Sequence, residues 1–125
     1  MNKEIKKDIE RAKQALESAQ RNLKEGDILT AANRNFIACE NAIYVLLKSK
    51  FGSTSISRMK ILTKLEEIDP SAKEAYDSSY DLRVQADYGR ESRAIPLNKE
   101  SLENSLESVN NLVEKAKKVL EKNKA

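Results

Sequence analysis

The chain has 125 residues with 23 basic and 20 acidic side chains, so its formal net charge is only +3, and the two signs alternate along the sequence. A dedicated nucleic-acid binder shows a basic stripe or a larger excess, so this balance leaves at most local contact with RNA. With 3 Gly, 2 Pro and no Trp, the composition is typical of long helices. The length suits a single domain over residues 1–125.

The sequence lacks histidine and has one cysteine, Cys39. The commonest general base and the commonest zinc ligand are therefore missing, and we predict neither a metal nor a cofactor. Cys39 lies in an apolar run and is expected in the core. The charged start of the chain does not resemble a signal segment, and no stretch approaches the ~20 apolar residues of a membrane span. We expect a cytoplasmic protein that does not contact membranes.

Two helices are predicted in the first half of the chain. The first covers 3–25, because apolar residues recur there every three or four positions: Ile5, Ile9, Ala12, Leu16, Ala19 and Leu23. Gly26 suits the position after the helix end, and Asp27 suits the N-cap of the next helix. The second helix, 28–50, is apolar around most of its circumference, which predicts the central helix of a bundle.

Three more helices are predicted in the second half. A short one over about 56–68 has Ser55 or Ser57 as its cap, and its expected inward face is Met59, Leu62 and Leu65 with help from Ile61 and Ile68. Asp69 and Pro70 then predict a fourth helix over 70–88. Asn98 caps a fifth over 99–122. The predicted fold is all-α: an antiparallel up-and-down bundle of about five helices with a short third helix.

Three segments together resemble the HEPN superfamily of helical domains. They lie at residues 15–27, 31–47 and 82–89, and the last, Leu-Arg-Val-Gln-Ala-Asp-Tyr-Gly, is the most specific. It is similar to the signature of small, stand-alone prokaryotic HEPN proteins. The resemblance spans about residues 5–120, and the order of the segments agrees with the predicted bundle.

This resemblance implies several possible roles. Many HEPN proteins are metal-independent RNases that carry an Arg-x(4–6)-His motif on a late helix at a homodimer interface. Others pair with a small nucleotidyltransferase in toxin–antitoxin operons, and others again are non-catalytic partners. Arg83 matches the arginine of the motif, but Tyr88 stands where the histidine would be. The sequence therefore departs from the RNase pattern at its proton-transfer residue.

The fourth helix carries the main candidate site. Tyr76, Tyr80, Arg83 and Asp87 follow one another at spacings of four, three and four, so they share one face. Arginine is suited to phosphate and tyrosine to stacking, so this face is a candidate for binding a phosphorylated ligand or RNA. The alternative is that Arg83 and Asp87 form a purely structural pair. If the protein is an RNase, Arg83, Asp87 and Tyr88 are the expected catalytic residues; otherwise none is.

A second candidate is Arg34, which stands among polar residues on the apolar second helix. Buried polar groups need partners, so a polar channel between the second and fourth helices would place Arg34 near Arg83. Alternatively, Arg34 pairs with Glu40 or with a carboxylate of the fourth helix. Arg90 and Arg93 are expected in a solvated loop, with a phosphate-facing lid as the alternative. The Lys-rich end of the chain is expected to be a solvated face.

Three functional classes follow. The first is a non-catalytic homodimeric HEPN partner of a nucleotidyltransferase or of another RNA- or nucleotide-handling protein, in a toxin–antitoxin-like system. The second is an atypical metal-independent RNase that uses Arg83. The third is a helical interaction module without any nucleotide.

Overall fold

The computed structural model describes residues 2–53, 57–91 and 94–124, except the side chains of residues 123 and 124. Those residues form five helices and no strand, as the sequence predicts. In chain order the helices are α1 (Asn2–Lys24), α2 (Ile28–Phe51), α3 (Arg58–Ile68), α4 (Pro70–Tyr88) and α5 (Lys99–Lys124).

Local capping chemistry sets most of the helix ends. The carboxylate of Asp27 accepts from the backbone N–H of Thr30, and the side chain of Asn98 accepts from Ser101. Ser57 caps α3 by accepting from Lys60, while its predicted alternative, Ser55, lies outside the described residues. The bounds of α4 agree with the prediction, and α1, α2 and α5 differ from it by one or two residues at their ends.

Asp69 has two roles at the junction of α3 and α4. Its backbone N–H donates to Leu65 at the end of α3, and its carboxylate accepts from the N–H of Ala72 at the start of α4. Lys115, in the middle of α5, reaches the same carboxylate at 3.0 Å. One residue thus ends a helix, begins the next and ties both to α5.

The second helix is the centre of the bundle, as predicted. It packs against α1, α4 and α5, and eleven of its residues are buried: Ala31, Ala32, Asn35, Phe36, Ala38, Cys39, Asn41, Ala42, Ile43, Val45 and Leu47. The apolar face predicted for α1 enters this core, and so do the apolar residues of α5, with Leu23 and Leu120 only partly buried at the ends.

One predicted core residue is wrong. Met59 is 72% exposed. The third helix packs mainly against α4, and it buries Ile61 and Leu65. Met59 stands two residues before Ile61, a turn of about 200° on a helix, so it points to the opposite side. Leu62 and Ile68 are partly buried.

Two polar contacts cross the bundle interior. Lys48 of α2 donates to Asp8 of α1 at 2.7 Å, and Asp8 is only 5% exposed. Asn35 of α2 is fully buried and donates to Ser105 of α5 at 2.9 Å. These contacts fix the rotation of α2 against its neighbours. No helix among the described residues has the length and apolarity needed to cross a membrane.

The Asp8–Lys48 pair can be tested directly. We expect Lys48→Ala to lower the free energy of unfolding by about 2–3 kcal/mol, because it leaves a buried carboxylate without its cation. Urea denaturation followed by circular dichroism measures the change. Lys50→Ala removes an exposed lysine from the same helical turn and should stay within ~0.5 kcal/mol of the wild type. Equal midpoints for the two variants would show that the pair does not stabilise the fold.

Candidate functional site

Two aromatic rings lie between two arginines where α2, α3 and α4 meet. The guanidinium of Arg58 lies 4.0 Å from the ring centre of Tyr80. Tyr80 meets Phe36 edge-on at 5.6 Å, and the guanidinium of Arg83 lies 5.4 Å from the Phe36 ring. We call Arg58, Tyr80, Phe36 and Arg83 the aromatic ladder. Both cations lie within range of attraction to an aromatic face, so the ladder joins the three helices.

Arg58 is fixed at its outer end as well. Its Nη2 donates to the carboxylate of Asp77 at 3.0 Å, and Tyr76 lies under the same guanidinium at 5.6 Å. Its Nε is buried without a hydrogen-bond partner. The arginine is therefore held by one carboxylate and two rings.

Arg83 is held at the other end of the ladder. Its Nε donates to Asp87 Oδ2 at 3.0 Å, one turn along α4, and Asn33 of α2 donates to the same oxygen at 3.3 Å. The side chains of Arg83 and Asp87 are 30% and 27% exposed. The structure thus shows the ion pair expected of the structural alternative, at the edge of the bundle. The bond to Asp87 uses one of the five donor hydrogens of the guanidinium.

Glu40 and Tyr44 adjoin this arginine on α2. Burial raises the pKa of Glu40, while a hydrogen bond with Tyr44 and the positive charge of Arg83 oppose that rise. Burial and the negative charge of Glu40 raise the pKa of Tyr44. Burial likewise raises the pKa of Tyr76 to about 12. At neutral pH these two phenols are protonated, so they can donate hydrogen bonds but cannot act as bases.

The structure does not bring Arg34 to Arg83. Arg34 is exposed and lines a groove between α1 and α2. The predicted polar channel is also wrong, because the side chains of the three asparagines of α2 that could line it bond to three different elements. Asn35 donates to α5, and Asn41 donates to the carbonyl of Ile37 on its own helix. Of the three, Asn33 is the one that reaches α4. The described ion pairs do not include Arg34, so it does not pair with Glu40 within the chain.

The remaining cationic candidates face solvent. Arg90 lies 5.9 Å from the ring of Tyr88, which is 64% exposed at the end of α4. Arg93 lies outside the described residues. In the Lys-rich end, Lys117 pairs with Glu114 at 2.9 Å, and Lys118 is exposed.

Sequence reasoning missed Arg58, Asp77 and Tyr44. Arg58 opens α3 directly after its cap, a position without any local signal for stacking. Its contacts with Tyr80 and Asp77 depend on how α3 docks on α4. Tyr44 is one turn from Glu40, so helical spacing alone would have suggested that contact.

The described residues contain no group of three or more His, Cys, Asp or Glu side chains placed to hold a metal ion. The candidate site consists of two arginines that each lie over an aromatic ring, the hydrogen-bonded pair of Glu40 and Tyr44, and the exposed Tyr88.

The model of the HEPN domain family matches residues 5–122, nearly the whole chain. The chain belongs to the HEPN domain family. No curated protein matches it at a significant level. On this HEPN bundle, Arg83 is engaged by Asp87 and Phe36, while Tyr88 lies at the helix end against Arg90.

A double-mutant cycle measures what the Arg83–Asp87 pair contributes to this HEPN fold. We expect Arg83→Ala and Asp87→Ala each to lower the free energy of unfolding, with a coupling energy of about 0.5–1 kcal/mol, because the pair is partly solvated. Arg83→Ala should cost more than Asp87→Ala, because it also removes the contact with Phe36. Urea denaturation of the wild type, both single variants and the double variant gives the values. Single variants that unfold at the wild-type midpoint would rule out a bracing role.

Proposed function

We propose that this HEPN protein is a non-catalytic, homodimeric partner of a nucleotidyltransferase or of another RNA- or nucleotide-handling protein, in a cytoplasmic, toxin–antitoxin-like system. The observation that supports it is that the side chain of Arg83 is already bound by its neighbours. This arginine bonds Asp87, stacks on Phe36 and lies near Glu40, so its surroundings hold it in place and partly neutralise it. The sequence has no histidine, and the Tyr44 phenol beside Glu40 is protonated at neutral pH.

The chemistry of the neighbouring groups supports a non-catalytic role. General acid–base catalysis typically contributes ~100- to 10,000-fold and works best with a group that titrates near the working pH. The sequence has no histidine to supply such a group. A phenol titrates near ~10 in its ordinary state and is a poor base at neutral pH. Tyr88 moreover contacts Arg90 in solvent.

Weak binding of a phosphate group is compatible with the same geometry. The side chain of Arg83 is 30% exposed, and four of its donor hydrogens remain after the bond to Asp87. The nearby carboxylates of Asp87 and Glu40 oppose an anion, which argues for low affinity. We therefore expect any nucleotide or RNA to bind weakly at Arg83, without Arg34.

The alternative reading is an atypical RNase that uses Arg83, with Asp87 or Tyr88 as the second group. It is favoured by the match of Arg83 to the family motif and by the exposure of Tyr88. A third candidate, an interaction module without nucleotide, is favoured by the contacts that already hold both arginines of the ladder within the chain.

Cleavage and binding assays separate these functions. We expect the purified protein not to cleave a mixed RNA pool efficiently in EDTA, because the sequence has no histidine to complete the RNase motif. Calorimetry with ATP and with the RNA pool should show weak binding that Arg83→Ala reduces by roughly tenfold, the equivalent of ~1.4 kcal/mol. Arg21→Ala, at the exposed end of α1, is the matched control and should bind as the wild type does.

Each outcome points to one function. Robust metal-independent turnover that disappears in Arg83→Ala would overturn the non-catalytic proposal and establish the RNase. Absence of binding to any nucleotide or RNA would favour the interaction module. Co-purification with a nucleotidyltransferase encoded beside this gene would support the proposed partner.

A further inference from the structure

A solvent-open groove lies between α1 and α2. It has a volume of about 290 Å³ and is lined by residues of both helices: Arg11, Gln14, Ala15, Ser18, Arg34, Ile37 and Asn41. We call this set the α1–α2 groove. Pockets that enclose a small-molecule ligand typically measure ~300–1,000 Å³, so this groove is better suited to side chains of another macromolecule.

The charge of the groove is positive and uncompensated. Arg11 and Arg34 are both exposed, and neither takes part in the ion pairs of the described residues. Among the described residues that line the groove, none is acidic. Arg58 and Arg83 differ in this respect, because each is bonded to a carboxylate of α4. The two groove arginines are therefore free to bind an anionic group from outside the chain.

The register of the two antiparallel helices sets the distance between these arginines. Lys48 of α2 contacts both Glu4 and Asp8 of α1, so it lies level with the first turns of α1. Counted from this level with the rise of a helix, Arg34 lies ~10–14 Å farther along the groove than Arg11. The two guanidinium groups thus stand on opposite walls, about two helical turns apart.

The groove is apolar between the two arginines. Ala15 follows Arg11 by one turn of α1, and Ile37 follows Arg34 by nearly one turn of α2. Both apolar residues therefore lie within the interval that the arginines bound. Ala15 is 8% exposed, and Ile37 is partly buried against the core. A complementary occupant has an apolar group at its centre and an anionic group about one turn to either side.

We propose that the α1–α2 groove binds an acidic α-helix of the protein partner, with an apolar side chain against Ile37 and a carboxylate at each arginine. The proposal rests on the partner role of the proposed function and adds its docking surface. On a helix, residues three or four positions to either side of a central residue share its face and lie ~4.5–6 Å from it along the axis. Carboxylates there reach Arg11 and Arg34 and accept charge-assisted hydrogen bonds.

A nucleic acid fits the same groove less well. Glu10, Glu17 and Glu40 each directly precede a lining residue, so a continuous phosphate chain would pass close to their carboxylates. Among the described lining residues none is aromatic, which leaves bases without a stacking surface here. A protein helix presents its negative charges singly and beside apolar side chains. The groove therefore favours a protein over RNA.

Two synthetic peptides test this chemistry. The acidic probe is an alanine-based helix of ~20 residues with a central leucine and with glutamates three and four positions to either side of it. The basic probe has lysines in place of the glutamates. NMR titration of the ¹⁵N-labelled protein with up to ~2 mM peptide locates the contact and gives the dissociation constant. We expect the acidic probe to shift the amide signals of the α1–α2 groove and the basic probe to leave them unchanged.

Charge reversal tests which residues select the probe. Arg11→Glu and Arg34→Glu should each raise the dissociation constant of the acidic probe at least ~tenfold, and the double reversal should prefer the basic probe. Lys118→Glu makes the same charge change on exposed α5 and should bind as the wild type does. Circular dichroism verifies folding. Alanine at both arginines, which adds no new charge, should also abolish binding and replaces any reversed variant that does not fold.

The outcomes separate this surface from the proposed function. Acidic probe that does not shift the groove signals, equal binding of both probes, or binding that survives the reversals would overturn the inference and leave the partner role intact. An RNA pool that binds the groove more tightly than the acidic probe, and loses affinity in the double reversal, would replace the protein helix with RNA. If a nucleotidyltransferase co-purifies with the wild type, the double reversal should lose it. A retained enzyme would show that the partner docks elsewhere.

Discussion

The architecture depends on the burial of α2 by three neighbours. Three helices, α1, α4 and α5, pack against it and leave one side uncovered. Every side chain of α2 therefore either packs against one of these three helices or lies on the uncovered side. This constraint explains why its eleven buried positions include four alanines and the cysteine, which allow close approach, and why its larger polar groups lie where another element can satisfy them.

The polar residues of α2 show how that constraint is met. Asn35, Asn33 and Lys48 each reach a different neighbour: α5, α4 and α1. Because a mispaired buried polar group is costly, these three contacts select one rotation of α2 among the many that an apolar helix permits. The aromatic ladder adds a contact between α3 and the same core through Phe36. Arg83 of α4, although partly exposed, thus also takes part in the packing against α2.

Elements whose signals are local could be predicted from the sequence. Asp69 followed by Pro70, and caps such as Asp27 and Asn98, act within one turn of chain, so the start of α4 and the antiparallel order followed from the sequence. The apolar stripe of α1 identified its buried face for the same reason. The family resemblance also depended on short, ordered segments, and the family match confirms it.

The rotation and the docking angle of one helix against another could not be predicted in the same way. A helical wheel places Arg34 and Arg83 on the faces of their own helices, but it does not give the rotation of one helix against the other, which separates them here. Met59 was misplaced because α3 is too short for its periodicity to distinguish two possible inner faces. The stacking of Arg58 required the docking angle of α3 on α4, which no local pattern encodes.

The junction at Asp69 has a consequence for the behaviour of the bundle in acid. Burial raises the pKa of this carboxyl, but hydrogen bonds from Ser71, Lys115 and the Ala72 N–H outweigh it and lower the pKa below its usual value. A carboxyl with a depressed pKa stabilises the fold above its unfolded pKa, and that contribution disappears as the pH falls through the folded value. Protonation would weaken the N-cap of α4 and the ion pair with Lys115 of α5 together. Since α3 packs mainly on α4, the corner that carries Arg58 loses part of its support as the pH falls.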